Sequence, residues 1–518
     1  MALPVERLLL IPFVLGVALL LWDILVAGWI ASQRQASRPF TSLTAFCGLM
    51  VAPAALISMA NVLDATARTT STIAWIWPVV TVSFALQVGY ALFARMLTPA
   101  VGVPLLLYNF CVATVSIGDF VVGLNGSAPL WLQGAVAARD AIVGMASGRT
   151  ALASPIALIV PMIAPAFPAR WKATAGVRAV LTIAATALTT LLLTEWPRGI
   201  GAVRSYDSAI GARMQERPEG DFAIGVRLFS TLSGPPAARL VVADTKLADA
   251  LHASSVLVVL NEKATRAAYL DSLYRVLDRW RADSSTIAVA IEMETELRSA
   301  TSAERDEVIE RVLLHVKPDV LIPGWRSPLP TLLEAREPSL QWWQTMLTRA
   351  GHVVNRVRPR TSLGWAAARV DTRDSAVYAW ASGEDSPVKV LGIVSFPSFA
   401  GLPAVDARLR AFDRWHALEN TNSNAPHEYW LMEVGGLPRA HGDVAQTAAM
   451  MRALAWATRR PWISTAILGD AGDYDGGIGL RAANGRLRSA VGVLSRASRG
   501  MNEAVTNKPA IGGAGGSP

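Results

Sequence analysis

Cysteine, histidine and, over a long stretch, charge are what this chain of 518 residues has least of. Two cysteines, Cys47 and Cys111, both sit inside apolar runs, which excludes a disulfide framework and leaves no thiol beyond residue 111 for redox work. The six histidines are scattered singly, and there is no HExxH, no CxxC, no GxGxxG after a strand and no GxxxxGK[ST]. The reading is therefore no cofactor and no bound metal or nucleotide. Residues 1–200 carry only 11 basic and 6 acidic side chains, against 37 and 34 in the other 318. The basic residues of the first part lie between apolar runs, with no patch of the kind that binds nucleic acid. With 52% hydrophobic residues and a net charge of +8, disorder is excluded, and the charge split implies two solvents, lipid for the first part and water for the second.

What the first part does have is long apolar runs. Leu8 to Ile30 is long enough to cross a hydrocarbon core of about 30 Å. Its length, its internal Asp23 and the absence of a small-residue cleavage site argue for a retained span and against a cleaved signal. Similar runs are Leu43 to Leu63, Ile73 to Ala94, Val101 to Leu124, Ala151 to Phe167 and Val177 to Trp196. The expectation is an N-terminal all-α polytopic membrane domain over 1–197 with about six spans, Pro-containing runs being tolerated where neighbouring helices cover the backbone. The loops after spans one, three and five carry Arg34, Arg38, Arg95, Arg170, Lys172 and Arg178. The N-terminus and the remaining loops carry Arg7, Arg68, Arg139 and Arg149. The positive-inside rule then puts the C-terminal domain on the extracytoplasmic side of a multi-pass membrane protein. Asp23 and Asp119 within the spans admit a translocation path or a pairing with a neighbouring helix.

After a linker over 198–221, β-branched or apolar runs alternate with amphipathic ones. The strands expected are 222–229, 255–261, 286–293, 319–324, 362–370, 390–396, 429–434 and 462–469. Eight such units over 222–504 fit one α/β (β/α)8 barrel, a TIM barrel, and a disordered tail is expected over 505–518. Reactive groups of such barrels collect at the C-terminal ends of the strands, and Glu433 ends the seventh run.

Glu433 lies in HEYWLMEVGGLPRAHG, with LGIVSFPSFAG before it and ILGDAGDYDGGIGLRAANGRLRSAV after it. This ordered series, about 130 residues, resembles the last third of the retaining TIM-barrel glycoside hydrolases (clan-A-like). The resemblance implies that Glu433 is the nucleophile of a two-carboxylate reaction. In that family the acid/base follows an Asn at the end of strand four. By strand count that position falls on Arg326, Ser327 and Pro328, whereas an alternative count places it on Met293 and Glu294. Glu292, Glu294 and Glu296 share one strand face, and like charges there raise one another's pKa, as a general acid requires. Phe396 stands where the family often has a Tyr that donates to the nucleophile. Catalytic candidates are thus Glu433 and Glu294, and substrate-binding candidates are Trp325, Arg326, Phe396, Asp470 and Asp473. Trp365 and Trp380 are also near strand ends, while Trp342, Trp343, Trp415 and Trp456 read as packing between helices and barrel.

Two functions follow. One is a membrane-anchored enzyme that cleaves or remodels an extracytoplasmic polysaccharide. The other is a non-catalytic glycan-binding or assembly protein of surface-polysaccharide biosynthesis or export. The partners expected are a poly- or oligosaccharide, the lipid bilayer and envelope-polysaccharide machinery.

Overall fold

The computed structural model describes residues 5–506 except 33–36, 64–72, 126, 148–159, 167–171, 219–220, 230–236, 262, 293–299, 327–337, 396–401, 420–426, 437, 475–477 and 483. Among the described residues six helices come first: α1 (Val5–Ser32), α2 (Arg38–Leu63), α3 (Ile76–Phe93), α4 (Pro99–Asn125), α5 (Leu130–Ser147) and α6 (Lys172–Ile210). Four stretches of them, Arg38–Ile57, Ile76–Phe93, Pro99–Val122 and Thr174–Ile210, are long and apolar enough to cross a membrane, and Gly16–Ser32 is a shorter apolar helix. The outward faces of these helices are apolar, with Leu25, Leu49, Leu56, Leu86, Phe93, Phe110 and Ile183 all exposed.

Among the described residues these four stretches match expected spans two, three, four and six; the first is met only by the shorter Gly16–Ser32, and the fifth by no helix. Ala151 to Phe167 was expected to span. Residues 160–166, the part of it that is described, form neither helix nor strand and are wholly buried. Pro161 and Pro165 explain this, since each lacks an N–H and its ring clashes with the carbonyl one turn back. A backbone outside helix and strand and away from water needs other partners, and side chains of the neighbouring helices supply them. Tyr108 donates to the Val160 carbonyl (2.8 Å), and the Asn109 amide bonds both the carbonyl and the N–H of Met162 (2.9 Å each). Asp23 accepts from the Ile163 N–H (2.9 Å), while Trp22 and Arg178 donate to the carbonyls of Ile163 and Pro165 (3.1 and 2.8 Å). Asp23 thus binds a neighbouring backbone, and Asp119 pairs with Arg139 of α5. The α5 helix, absent from the expected spans, crosses α6 closely: a Cβ on Gly199 would lie 2.3 Å from the Gly134 carbonyl oxygen. Where a linker was expected from residue 198, α6 continues to Ile210.

The C-terminal part is a closed barrel of eight parallel strands in sequential order, β1 (Ala223–Arg227), β2 (Ser255–Leu260), β3 (Thr286–Glu292), β4 (Val320–Trp325), β5 (Ser362–Ala367), β6 (Val388–Ser395), β7 (Glu428–Val434) and β8 (Ile463–Asp470). Most read as continuous apolar runs because both faces are covered. One face packs inward as Leu257, Val259, Ala288, Ala290, Ile322, Val390, Met432 and Ile467. The other packs on the surrounding helices as Val256, Val258, Val289, Leu321, Leu391 and Leu431. Gly392 makes room for the large inward residues of β7, since a Cβ there would lie 2.5 Å from Met432. The helices are α7 (Ala238–Ala250), α8 (Ala267–Ala282), α9 (Ser302–His315), α10 (Leu340–Val357), α11 (Thr372–Ala381), α12 (Leu402–Glu419), α13 (Pro438–Thr458) and α14 (Ser489–Thr506). A capping box between Thr301 and Glu304 starts α9. The tail beyond residue 506 lies outside the described residues.

Candidate active site

Strand parity alone does not place the charged residues of the barrel mouth, because register shifts interrupt it near the strand ends. On β7, Leu431 packs outward and Met432 inward; the pairing with β6 then skips from Leu431 to Glu433, and Val434 again packs outward. Two successive residues, Met432 and Glu433, therefore face the interior, as a β-bulge allows. The β1–β8 pairing shifts likewise, so that Arg227 is opposite Asp470, and the β3–β4 pairing shifts so that Glu292 is opposite Trp325. These irregularities gather Arg227, Glu292, Glu433 and Asp470 at the C-terminal ends of β1, β3, β7 and β8.

Arg227 is the hub. Its Nη1 lies 3.3 and 3.4 Å from the two Glu433 oxygens, and its Nε lies 3.0 Å from Asp470 Oδ1. Glu433 has no solvent exposure. Its pKa is raised to about 7: burial pushes it up most, the Arg227 guanidinium pulls it back, and the charges of Asp470 and Glu292 push it up further. Asp470, Glu433 and Glu292 in turn hold the guanidinium firmly protonated against its own burial. With the charges of Asp470 and Glu292 so near, a proton on Glu433 lessens the repulsion among the carboxyls.

The other expected residues are placed as follows. Trp325 is fully buried in the interior wall of the barrel, its indole N–H without a hydrogen-bond partner among the described residues. Arg326 pairs with Asp374, the buried acid that also accepts the N–H groups of Arg369 and Val370 (2.8 Å each), and its guanidinium lies 5.5 Å from the Trp343 ring centroid. Asp473 accepts from the Gly479 N–H (2.8 Å) and pairs with Arg488 (2.6 Å), which also reaches Asp443 (2.9 Å); its carboxylate is taken up in pinning the loop after β8. Trp365 faces away from the mouth, edge-on to Trp343 at 6.4 Å, and Trp380 packs beside the outer layer. Trp342, Trp343, Trp415 and Trp456 pack there as expected. Glu294, Ser327 and Phe396 lie outside the described residues. With β4 at Val320–Trp325, the position after the fourth strand is the Arg326–Ser327 pair, and Glu294 follows the third.

Two residues of this end of the barrel were missed in the sequence. Arg227 is the only charged residue of β1 and stands at its C-terminal end, a signal available without a structure. Asp244 of α7 carried no signal. It is buried, accepts from the Phe229 N–H (3.1 Å), pairs with Arg481 (2.7 Å) and accepts from the Tyr474 hydroxyl, whose proton burial and the Asp244 charge hold in place. Phe229 sits at a φ of 55°, a conformation that this bond from Asp244 supports.

The fold and the cluster define the class: a TIM barrel with a guanidinium–carboxylate site at its C-terminal face, joined to a helical unit with candidate membrane spans. No protein-family profile and no curated protein matches the chain. Among solved structures it is similar to a beta-glucuronidase from an uncultured Clostridium sp., at 10% identity and a TM-score of 0.39, over 56% of this chain and 53% of that one, so that the chain spans about half of its length. It is similar also to a GH5-4 broad-specificity endoglucanase from an uncultured bovine rumen ciliate, at 9% identity and a TM-score of 0.40, over 56% of this chain and 98% of that one. A thermostable mutant of a Cellvibrio japonicus xylanase is similar at 12% identity and a TM-score of 0.38, over 54% of this chain and 98% of that one. The C-terminal half is a TIM barrel by its own strand order, and at these scores the likeness carries nothing about its reaction.

Proposed function

We propose that the chain is a membrane-anchored glycosidase whose barrel stands on the extracytoplasmic side and cleaves or remodels a polysaccharide there. The observation that carries this reading is Glu433, a carboxyl at the end of β7 turned into the barrel by a bulge and held by the guanidinium that also holds Asp470. In the reaction, ionised Glu433 attacks the anomeric carbon while a second carboxylic acid gives its proton to the departing oxygen. The resulting glycosyl ester is opened by water, which that second carboxylate deprotonates. The second carboxyl comes from the β3 end, with Glu294 as acid/base and Glu292 beside it. Asp470, Trp325, Arg326 and Phe396 are assigned to binding and shaping the sugar site, to which Asp473 contributes by holding the loop after β8.

The orientation rests on charge and on helix order. Gly118 of α4 packs on Leu132 and Val136 of α5, and Gly134 of α5 packs on Ile200 near the barrel end of α6. The start of α4 and Arg95 before it are therefore at the far end, as is Arg178 near the start of α6, and this basic end is assigned to the cytoplasm.

The test is sugar release by the full chain in detergent or nanodiscs from gluco-, manno- and xylo-oligosaccharides and envelope polysaccharides, beside Glu433→Gln. Turnover that falls at least about 100-fold in a folded Glu433→Gln chain supports the reading. No turnover by the folded wild type on any substrate overturns it and leaves glycan binding without cleavage.

A further inference from the structure

We propose that the substrate is a glycan tethered to the bilayer by a lipid, cleaved close to the membrane surface; this deepens the glycosidase reading and rests on it. The helical unit and the barrel share a buried apolar contact. On the helical side it is made by Ala137 of α5 and by Val203, Tyr206 and Ala209 of α6, and on the barrel side by Leu402, Ala445 and Ala448. Leu402 is the first residue of α12, and Ala445 and Ala448 lie in the first two turns beyond Gly442, whose φ of 89° and ψ of 160° break α13 and restart it there. These helices follow β6 and β7, so their first turns belong to the C-terminal face of the barrel, the face that carries reactive groups. The contact is therefore made by the rim of the mouth, in the sector of Glu433. Gly436, three residues beyond Glu433, lies so near α13 that a Cβ on it would stand 2.9 Å from the Gln446 Cα, between the two docked alanines.

The height of this rim above the lipid follows from α6. Val180, Ile183 and Leu193 are exposed apolar residues on that helix, and Trp196 then donates its indole N–H to the Trp131 carbonyl (2.9 Å) beside an exposed Trp131 ring. Such a tryptophan pair marks the boundary between hydrocarbon and headgroups. Val203, Tyr206 and Ala209 follow Trp196 by 7 to 13 residues, which at the rise of an α-helix is about 10–20 Å. The mouth is thus held at headgroup height or just above it. The connection beyond α6 fixes that height, since Gln215 donates to Thr458 (3.1 Å) and Arg217 to the carbonyls of Arg460 and Pro461 (2.7 and 2.9 Å). A soluble polymer needs no such placement, whereas a glycan whose end is fixed in the leaflet enters a mouth at this level.

The test uses the full chain in nanodiscs and dye-labelled gluco-, manno- and xylo-oligosaccharides in two forms, free and joined to a diacylglycerol in the same nanodisc. A series of polyethylene glycol spacers stands between lipid and sugar, and Glu433→Gln is the blank. The expected result is at least tenfold faster turnover of the anchored form, with a rate that falls at least tenfold as the spacer is lengthened well beyond the height of the rim. Faster turnover of the free form, equal turnover, or a rate flat across the spacer series overturns the tethered-substrate inference and leaves the glycosidase reading standing. No cleavage of either form overturns both.

Discussion

At the scale of single residues, the proton on Glu433 is the quantity to follow. Its pKa stands at about 7 in the fold, above the ordinary carboxyl value of 4.5. The folded state therefore binds this proton more tightly than the unfolded state. The stability it contributes is complete below about pH 4.5 and is lost as the pH rises through about 7. Against a Glu433→Gln chain, the wild type should lose up to about 1.4 kcal/mol of relative stability per pH unit across that interval, measured by urea unfolding of the barrel. Because attack requires the ionised form, the acid limb of kcat/KM should lie near pH 7. Arg227→Met removes the cation that opposes protonation, so the limb should move up by about one unit or more, with a destabilisation of roughly 3 kcal/mol read from the same unfolding curves. If the limb stays in place, Arg227 does not set the charge of Glu433. Glu433 was legible in the sequence because it ends a strand before a pair of glycines. Its pairing with Arg227 was not, because the two residues are 206 apart in sequence and the irregularities of the β6–β7 and β1–β8 pairings that turn them inward leave no local pattern.

At the scale of elements, the eight strands lie within three residues of the runs expected from β-branched and apolar clustering, because a parallel strand covered on both faces writes itself as such a run. The helical unit was less legible. Hydropathy measures the dryness of a segment and says nothing of its conformation, so a non-helical segment buried among helices scores like a spanning helix. Its prolines were the available signal. Conversely, Arg139 and Asp140 hid α5, although Arg139 is neutralised by Asp119. The non-helical segment depends on partners outside itself, and Asn109 is the most committed of them. Asn109→Leu keeps the forked shape of the side chain and strands both backbone polar groups of Met162, which should cost about 2–6 kcal/mol at about 1–3 kcal/mol for each buried orphan. Thermal unfolding in detergent checks this, with Thr186→Val as the control, an exposed hydroxyl that bonds only its own helix. A loss no larger than the control's would mean that the segment does not need the amide.

At the scale of the whole molecule, the contact between rim and helices is narrow and built from small residues. Ala448 has no exposure, and Val203, Ala209, Leu402 and Ala445 close around the same patch. Small side chains let the helices approach closely, and for the same reason a large charged one has nowhere to go. Ala448→Glu should therefore part the two units at the rim, since an unpaired buried carboxylate costs several kcal/mol and separation returns it to water. The barrel has its own closed sheet and core and should persist, because no barrel strand and none of the four groups at its mouth depends on Ala448. The strap of residues 211–218 then loses one of its two anchorages, and Arg213 offers a trypsin site within it, whereas Arg217 is protected by the following Pro218. The expected outcome is at least about tenfold faster cleavage there than in the wild type, with barrel fragments that still unfold cooperatively. Turnover of a free oligosaccharide should change little, while the preference for a short spacer should vanish, since the height of the mouth would no longer be fixed. Unchanged cleavage at the strap would show that its bonds to Thr458, Arg460 and Pro461 hold the barrel without the apolar contact, and that the rim is placed by the chain connection alone.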